Sequence, residues 1–180
     1  RTISTATYSI LDVTDDRNEV IGQVDAISAP ELVYPQAVYL HQGESFLVRE
    51  LDQPARIARV ERFDADYYTQ PILADECRIV AEHMSDELLG GKRCFGDVTV
   101  QWQTIAFRQI KFQSMELIGQ TALDLPPQTI ETAGCWLIPP PAAIAAVKAM
   151  GGKPWDALSG TRNLLTVALT TVAMCDRYDV

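Results

Sequence analysis

Along the first 140 residues, apolar positions recur mostly with a period of two, which predicts half-buried strands. Residues 7–13 (TYSILDV) and 19–25 (EVIGQVD) flank the polar turn Thr14-Asp15-Asp16-Arg17-Asn18, a hairpin signature. Ser28-Ala29-Pro30 and Tyr34-Pro35 punctuate an irregular or short helical connection, because proline fixes φ and removes a donor. Residues 37–41 and 45–51 read as strands around His41-Gln42-Gly43-Glu44-Ser45, with Gly43 free to take the positive φ of a tight turn. The next strand, 56–63 (RIARVERF), puts Ile57, Arg59 and Glu61 on one face and Ala58 and Val60 on the other. Pro71 predicts that the segment around Tyr67-Tyr68 ends there or lies on a sheet edge.

The pattern is less decisive beyond that point. Residues 72–82 fit a strand or a short helix, and 85–93 read as a mobile polar excursion. Val98, Val100 and Trp102 alternate, and the change of phase to Ile105 and Phe107 predicts a bulge or bend. Strands at 110–118 and 129–137 follow. Past Ile138-Pro139-Pro140-Pro141 the pattern predicts a short helix, Ala142 to Met150, stopped by Gly151-Gly152. A long helix from Trp155 to Cys175 is apolar around most of its girth, and such helices are normally buried on more than one side.

About eight short strands in antiparallel meanders and then two helices predict a mainly β fold, α+β overall. The expected form is a small antiparallel β-barrel or curled sheet, since closure removes exposed edges, followed by a C-terminal helical segment. The expected organisation is a β-rich barrel over 1–138, a Pro/Ala/Gly linker with a short helix over 139–154, and a long helix over 155–180. The missing initiator methionine and the stop just after an apolar run suggest a piece of a larger protein.

Charge narrows the functional classes. The net charge is −9, with 9 Lys/Arg against 18 Asp/Glu in residues 1–100 and 6 against 6 thereafter. Bulk attraction to phosphate is therefore excluded, although local basic stripes are not. Cys77, Cys94, Cys135 and Cys175 form no close pair, so no closed zinc site is expected, and they read as mostly buried thiols in a reducing cytosol. No apolar run reaches the roughly 18–20 residues of a membrane span.

Catalytic signatures are missing as well. Gly151-Gly152-Lys153 fails as a phosphate loop, with Val147 where the first glycine belongs and Pro154 where Ser or Thr belongs. His41 as a base, with Ser45 or Cys94 as a nucleophile, lacks an orienting partner at recognisable spacing. A hydrolase or ligand-binding barrel using His41 would need a deep pocket and a second titratable group beside it. No catalytic residue and no metal ligand is assigned, and the chain is expected to be inactive alone.

Several segments carry a resemblance. VIGQVD (20–25), AVYLHQGESFLVRELD (37–52), DADYYTQP (64–71), LDLPPQTIETAGCWLI (123–138) and ALSGTRNLLTVALTTVAMCDRYD (157–179) occur in the order of a known pattern. The chain resembles the C-terminal region of superfamily 2 DEAD/DEAH-box helicases of the mitomycin-repair type, relatives of the RecQ-like repair helicases. The resemblance is weakest at 83–97 and 142–156, and Tyr178 replaces a usual basic residue.

That resemblance implies an ATP-dependent 3′→5′ DNA helicase as the parent. It would have two RecA-like motors, a winged-helix region and a four-cysteine zinc domain at the C-terminal end. ATP and Mg would belong to the motors and Zn to a segment downstream, leaving this chain without a cofactor. Its partners would be the motor and winged-helix domains of the same protein and, on one reading, single-stranded DNA. Its place would be the cytoplasm, at the nucleoid in a bacterium, with no membrane contact.

Two roles fit such a segment. In a nucleic-acid-tracking role, Tyr39, Tyr67, Tyr68 and Trp102 offer faces for stacking bases, while Arg56, Arg59, Arg62, Arg108 and Lys111 offer phosphate contacts. In an architectural role the aromatics are core, and the arginines pair with Glu50, Asp52, Glu61 and Asp64. One contiguous basic face favours tracking; arginines interleaved with carboxylates favour scaffolding. His41, Gln42 and Gly43 are assigned to a structural turn, His41 and Gln42 pinning the neighbouring loop through their donors.

Overall fold

β1 (Thr7–Asp12) and β2 (Glu19–Asp25) pair antiparallel, from Thr7 opposite Asp25 to Asp12 opposite Glu19. The computed structural model describes residues 6–16, 18–173 and 175, so Arg17 and the Arg177-Tyr178 end of the resemblance lie outside them. β3 (Val38–His41), β4 (Glu44–Asp52) and β5 (Ile57–Arg62) complete a sheet ordered β2-β1-β5-β4-β3. One pairing departs from the expected meander: β1 and β5 are parallel, joined by a crossover through β2, β3 and β4.

The faces of β5 follow the alternation. Ala58 and Val60 are fully buried, whereas Ile57, Arg59 and Glu61 are not. Curling brings the two ends of the sheet together. A Cβ added to Gly22 on β2 would lie 3.3 Å from the His41 Cε1 on β3, although these strands are not neighbours in the hydrogen-bonded order. The result is a half-barrel. Its concave side holds Ile10, Phe46, Val48, Ala58 and Val60, and α1 (Ala29–Leu32) with the following Val33 and Tyr34 closes over them.

Polar groups fix the entry to that helix. Asp25 Oδ1 accepts from the Ile27 amide at 3.1 Å and the Ser28 amide at 2.9 Å, satisfying donors that a helix start leaves free. Partial burial pushes the Asp25 carboxyl up, but the Ser28 hydroxyl and the Ser28 and Ile27 amides outweigh it, so its pKa lies below the ordinary 3.8. A folded pKa below the unfolded one contributes stability above pH 3.8 that is lost as pH falls through the folded value. Asp25→Asn is therefore expected to be less stable than the parent at neutral pH. The gap should close in acid, as followed by urea melts across pH.

A buried carboxylate ties the first turn to β5. Asp12 accepts from the amide and hydroxyl of Thr14, and Arg62 Nε lies 3.7 Å from its other oxygen. The Thr14 hydroxyl in turn accepts from the Arg62 amide at 2.8 Å.

The second sheet is built from β6 (Tyr67–Leu88), β7 (Gly91–Lys111), β8 (Leu117–Ala122) and β9 (Gln128–Ile138), with β6 outermost and β9 pairing β7. Residues 72–82 are strand, and β6 passes through Pro71 because proline is tolerated on an edge. The expected polar excursion at 85–93 is instead the end of a long hairpin. Leu89 (φ 51) and Gly90 (φ 79) form a two-residue turn, and Asp86 and Arg93 pair across the strands at 2.8 Å.

The phase change on β7 comes later than expected: Thr104 and Ala106 keep the even positions buried, Ile105 is exposed, and only Phe107 joins the buried side. The strand expected at 110–118 is a correction. Residues 112–115 are a turn closed by Lys111 N–H donating to Glu116 O at 3.0 Å, with Met115 at φ 56.

α2 (Pro141–Ala149) and α3 (Pro154–Val172) follow. Neither buries a residue, and Trp155 is 78% exposed, so the cover expected around α3 is absent among the described residues. The described residues form two compact units, one from 6–77 with 100–130 and the other from 78–99 with 131–175. The boundaries fall inside β6, β7 and β9.

Candidate functional site

The HQGES stretch is a hairpin turn. His41 pairs with Glu44 and Leu40 with Ser45, leaving Gln42 (φ 51) and Gly43 (φ 86) as a two-residue loop of the primed kind. The His41 ring stacks on Tyr39, centroids 6.0 Å apart and planes 19° apart, with the Tyr39 hydroxyl 3.4 Å from His41 Nδ1. Its other side meets Gly22 across the seam of the half-barrel. His41 thus packs against Tyr39 and β2, and does not pin a loop through both donors. Gln42 is exposed and makes no side-chain hydrogen bond among the described residues, which corrects its expected part.

Nothing crowds the Cβ position of Gly43, so Gly43→Ala carries only the strain of a left-handed alanine, about 1 kcal/mol. A denaturant midpoint that moves by that amount with an unchanged slope checks this.

Three arginines of β4 and β5 are engaged by carboxylates. Arg59 Nη1 donates to Glu50 at 2.7 Å and lies 3.6 Å from Asp52. Arg49 Nε donates to Glu61 at 2.6 Å, and Arg62 Nη2 lies 3.2 Å from Glu44. Cations and carboxylates alternate across β4 and β5 with no contiguous basic face. Arg49 was not singled out from the sequence, yet the β4–β5 register that sets Leu47 opposite Glu61 puts it within reach.

The remaining candidates fall elsewhere. Arg56 is exposed in the turn before β5, at φ 54. Arg108 and Lys111 are exposed near the end of β7, Arg108 opposite Gln120. None of these three has an ion pair among the described residues.

Tyr67 and Tyr68 are half-buried, each against another ring. Tyr67 meets Phe63 edge-on at 5.9 Å, and Tyr68 meets the exposed Phe112 at 5.7 Å. The Phe112 amide donates to Asp66 O at 3.2 Å, which holds Lys111, Phe112 and Tyr68 at one corner. Phe112 was missed in the sequence because it lies in what read as the middle of a strand.

No three His, Cys, Asp or Glu among the described residues converge on a metal-binding geometry. The cysteines are free, with Cys94 buried, Cys77 and Cys135 exposed and Cys175 half-buried, which corrects the expectation of mostly buried thiols. An open hollow of about 380 Å³ is lined by Met84, Asp86, Arg93, Cys94, Phe95 and Cys135, and His41 is not among its walls. No helix among the described residues is long and apolar enough to cross a membrane.

A curled β-rich segment with an ion-paired outer face matches part of a known class. The chain is homologous to a segment of ATP-dependent helicases and is consistent with the C-terminal region of a superfamily 2 helicase. It is 32% identical to the ATP-dependent helicase YprA of Bacillus subtilis strain 168 over 182 residues, covering all of this chain and 24% of that protein. It is also 32% identical to the ATP-dependent helicase HRQ1 of Saccharomyces cerevisiae over 62 residues, 34% of this chain and 6% of that protein.

The fold matches a crystal structure of the DUF1998 helicase MrfA bound to DNA, with a TM-score of 0.71 and 29% identity. That match covers 97% of this chain and 23% of the other. No family model matches the chain. It spans about a quarter or less of the length of the relatives it matches.

Proposed function

We propose that the chain is a non-catalytic accessory segment of an ATP-dependent 3′→5′ DNA repair helicase, acting mainly to organise the domains around the motors. The observation that carries this reading is the neutralised face of β4 and β5. Arg49, Arg59 and Arg62 are each paired with a carboxylate, and β4 and β5 carry four carboxylates against these three arginines, so the face offers phosphate no net positive charge. In this reading the motor and winged-helix domains of the same protein are its partners. ATP and Mg act at the motors, Zn in a downstream segment, and the whole works in the cytoplasm.

A second reading, direct contact with single-stranded DNA, rests on the corner where exposed Lys111 adjoins the Tyr68–Phe112 pair, with Arg108 on the same strand. That MrfA was solved bound to DNA supports it.

Fluorescence anisotropy of a labelled single strand at about 50 and 200 mM salt separates the two. Scaffolding predicts no saturable binding by this chain at either salt. Saturable binding that falls steeply with salt and is lost in Lys111→Ala would instead establish the contact and retire the purely architectural account.

A further inference from the structure

The turn that joins α2 to α3 is held at both ends. The Met150, Gly151 and Gly152 amides donate to Ala146 O, Lys148 O and Val147 O at 3.0, 3.0 and 2.9 Å, and the Asp156 amide donates to Lys153 O at 3.1 Å. Gly151 sits at φ 77, and a Cβ on Gly152 would lie 3.0 Å from Val147 Cγ1, so the turn closes tightly on α2. What this rigid mount displays is apolar. Trp155 is 78% exposed and Met150 80%. Tryptophan is on average a highly buried residue, and at that exposure Trp155 adds almost nothing to the packing of its own chain.

Helical spacing extends the patch. Leu158 and Arg162 follow Trp155 by three and seven residues, so they share its face of α3, and both are exposed. Lys153 stands two residues before the ring. Cations therefore flank an apolar pair, Trp155 and Leu158, roughly 13 Å apart by helical rise.

Charge decides what fits there. From Pro141 to Val172 the chain carries Lys148, Lys153 and Arg162 against Asp156, a net +2 in a protein of net −9. None of these three cations has an ion pair among the described residues. A second copy of the turn would set like charges together. A DNA strand could stack on Trp155, but its unbroken charge would meet the acidic remainder of the chain and leave Leu158 uncovered.

We propose that the α2–α3 turn and the first half of α3 dock an amphipathic helical segment of a partner protein, one whose apolar stripe is bounded by carboxylates. Its aliphatic side chains cover Trp155 and Leu158, and its carboxylates face Lys153 and Arg162. The mount is already ordered, so little entropy is lost there on docking. The inference rests on α2 and α3 alone and uses neither reading of the sheets.

The probe is a labelled, end-capped helical peptide about 18 residues long, with leucines at helical spacing and glutamates on either side of them. It is titrated into the 180-residue chain and followed by anisotropy. Saturable binding is expected. Trp155→Ala should weaken it about thirtyfold, the loss of a central aromatic anchor. Lys153→Glu with Arg162→Glu should weaken it about tenfold. All three side chains are exposed, so the circular dichroism spectrum should not change in either variant.

Equal binding by Trp155→Ala would overturn the proposal, as would equal binding of a peptide with serine in place of leucine or lysine in place of glutamate. A labelled DNA strand whose binding is lost in Trp155→Ala would assign the turn to nucleic acid instead. Sedimentation showing a dimer that Trp155→Ala dissolves would assign it to a second copy. Either result refutes the site, and so does absence of peptide binding.

Discussion

Gly96→Ala is expected to open the β6–β7 hairpin while leaving the half-barrel folded. A Cβ at position 96 would fall well inside van der Waals contact of the Ala81 carbonyl oxygen and close to the Glu82 Cα, both of them backbone. No rotamer change relieves such a clash. The strands must separate locally, at a cost of about 3 kcal/mol, the upper range for overpacking. Few buried side chains oppose that separation, since β6 is exposed on both faces from Arg78 to Leu88. Sub-global opening is the result such a segment gives.

Hydrogen exchange read by mass spectrometry should show faster exchange over 78–88 and 91–99, with protection around Ile10, Val48 and Val60 unchanged. Unaltered protection in the hairpin would refute the close approach. Gly160→Ala supplies the contrast: nothing lies within 4 Å of its Cβ position inside α3, and alanine there should stabilise by up to about 1 kcal/mol.

The half-barrel was legible because its strands have one wet and one dry face. Ala58 and Val60 against Arg59 and Glu61 is the pattern such a strand must show, and Gly43 marks the turn that its positive φ requires. The long hairpin was not legible for the opposite reason. A strand exposed on both faces has no alternation, so Arg78 to Leu88 carried no period to read. Its turn is Leu89-Gly90, and leucine 93% exposed at φ 51 is not a residue that announces a primed turn. The parallel β1–β5 pairing joins residues about fifty apart in sequence, and no local pattern encodes such a partner.

The candidate site was half legible in the same sense. Pairing of Arg59 with Glu50 and Asp52 was one of the two alternatives read from the sequence. The rings that occupy Tyr67 and Tyr68 follow only from how the chain turns at Phe63 and Phe112.

Phe107→Ala should be the costliest single truncation in the half-barrel unit. Phe107 is fully buried, and its ring meets Tyr34 at a centroid distance of 5.3 Å, so β7 and the segment after α1 share one contact in the core. Removing a buried phenyl ring forfeits its transfer free energy and leaves a cavity, together about 3–5 kcal/mol. At this chain length that lowers Tm by on the order of 10 °C.

The partner ring makes the test specific. Burial holds the Tyr34 phenol above its ordinary pKa, and the nearby Thr69 hydroxyl offsets only part of that. Thr69 Oγ1 accepts from the Val38 amide at 2.9 Å, and the Tyr34 oxygen has no partner in hydrogen-bonding geometry. A buried hydroxyl without a partner costs stability, so Tyr34→Phe keeps the ring contact and removes the penalty. Its Tm should equal or exceed that of the parent while Phe107→Ala falls. A substantial drop in Tyr34→Phe would mean that the hydroxyl is bonded in solution, and that Thr69 is the group to substitute next.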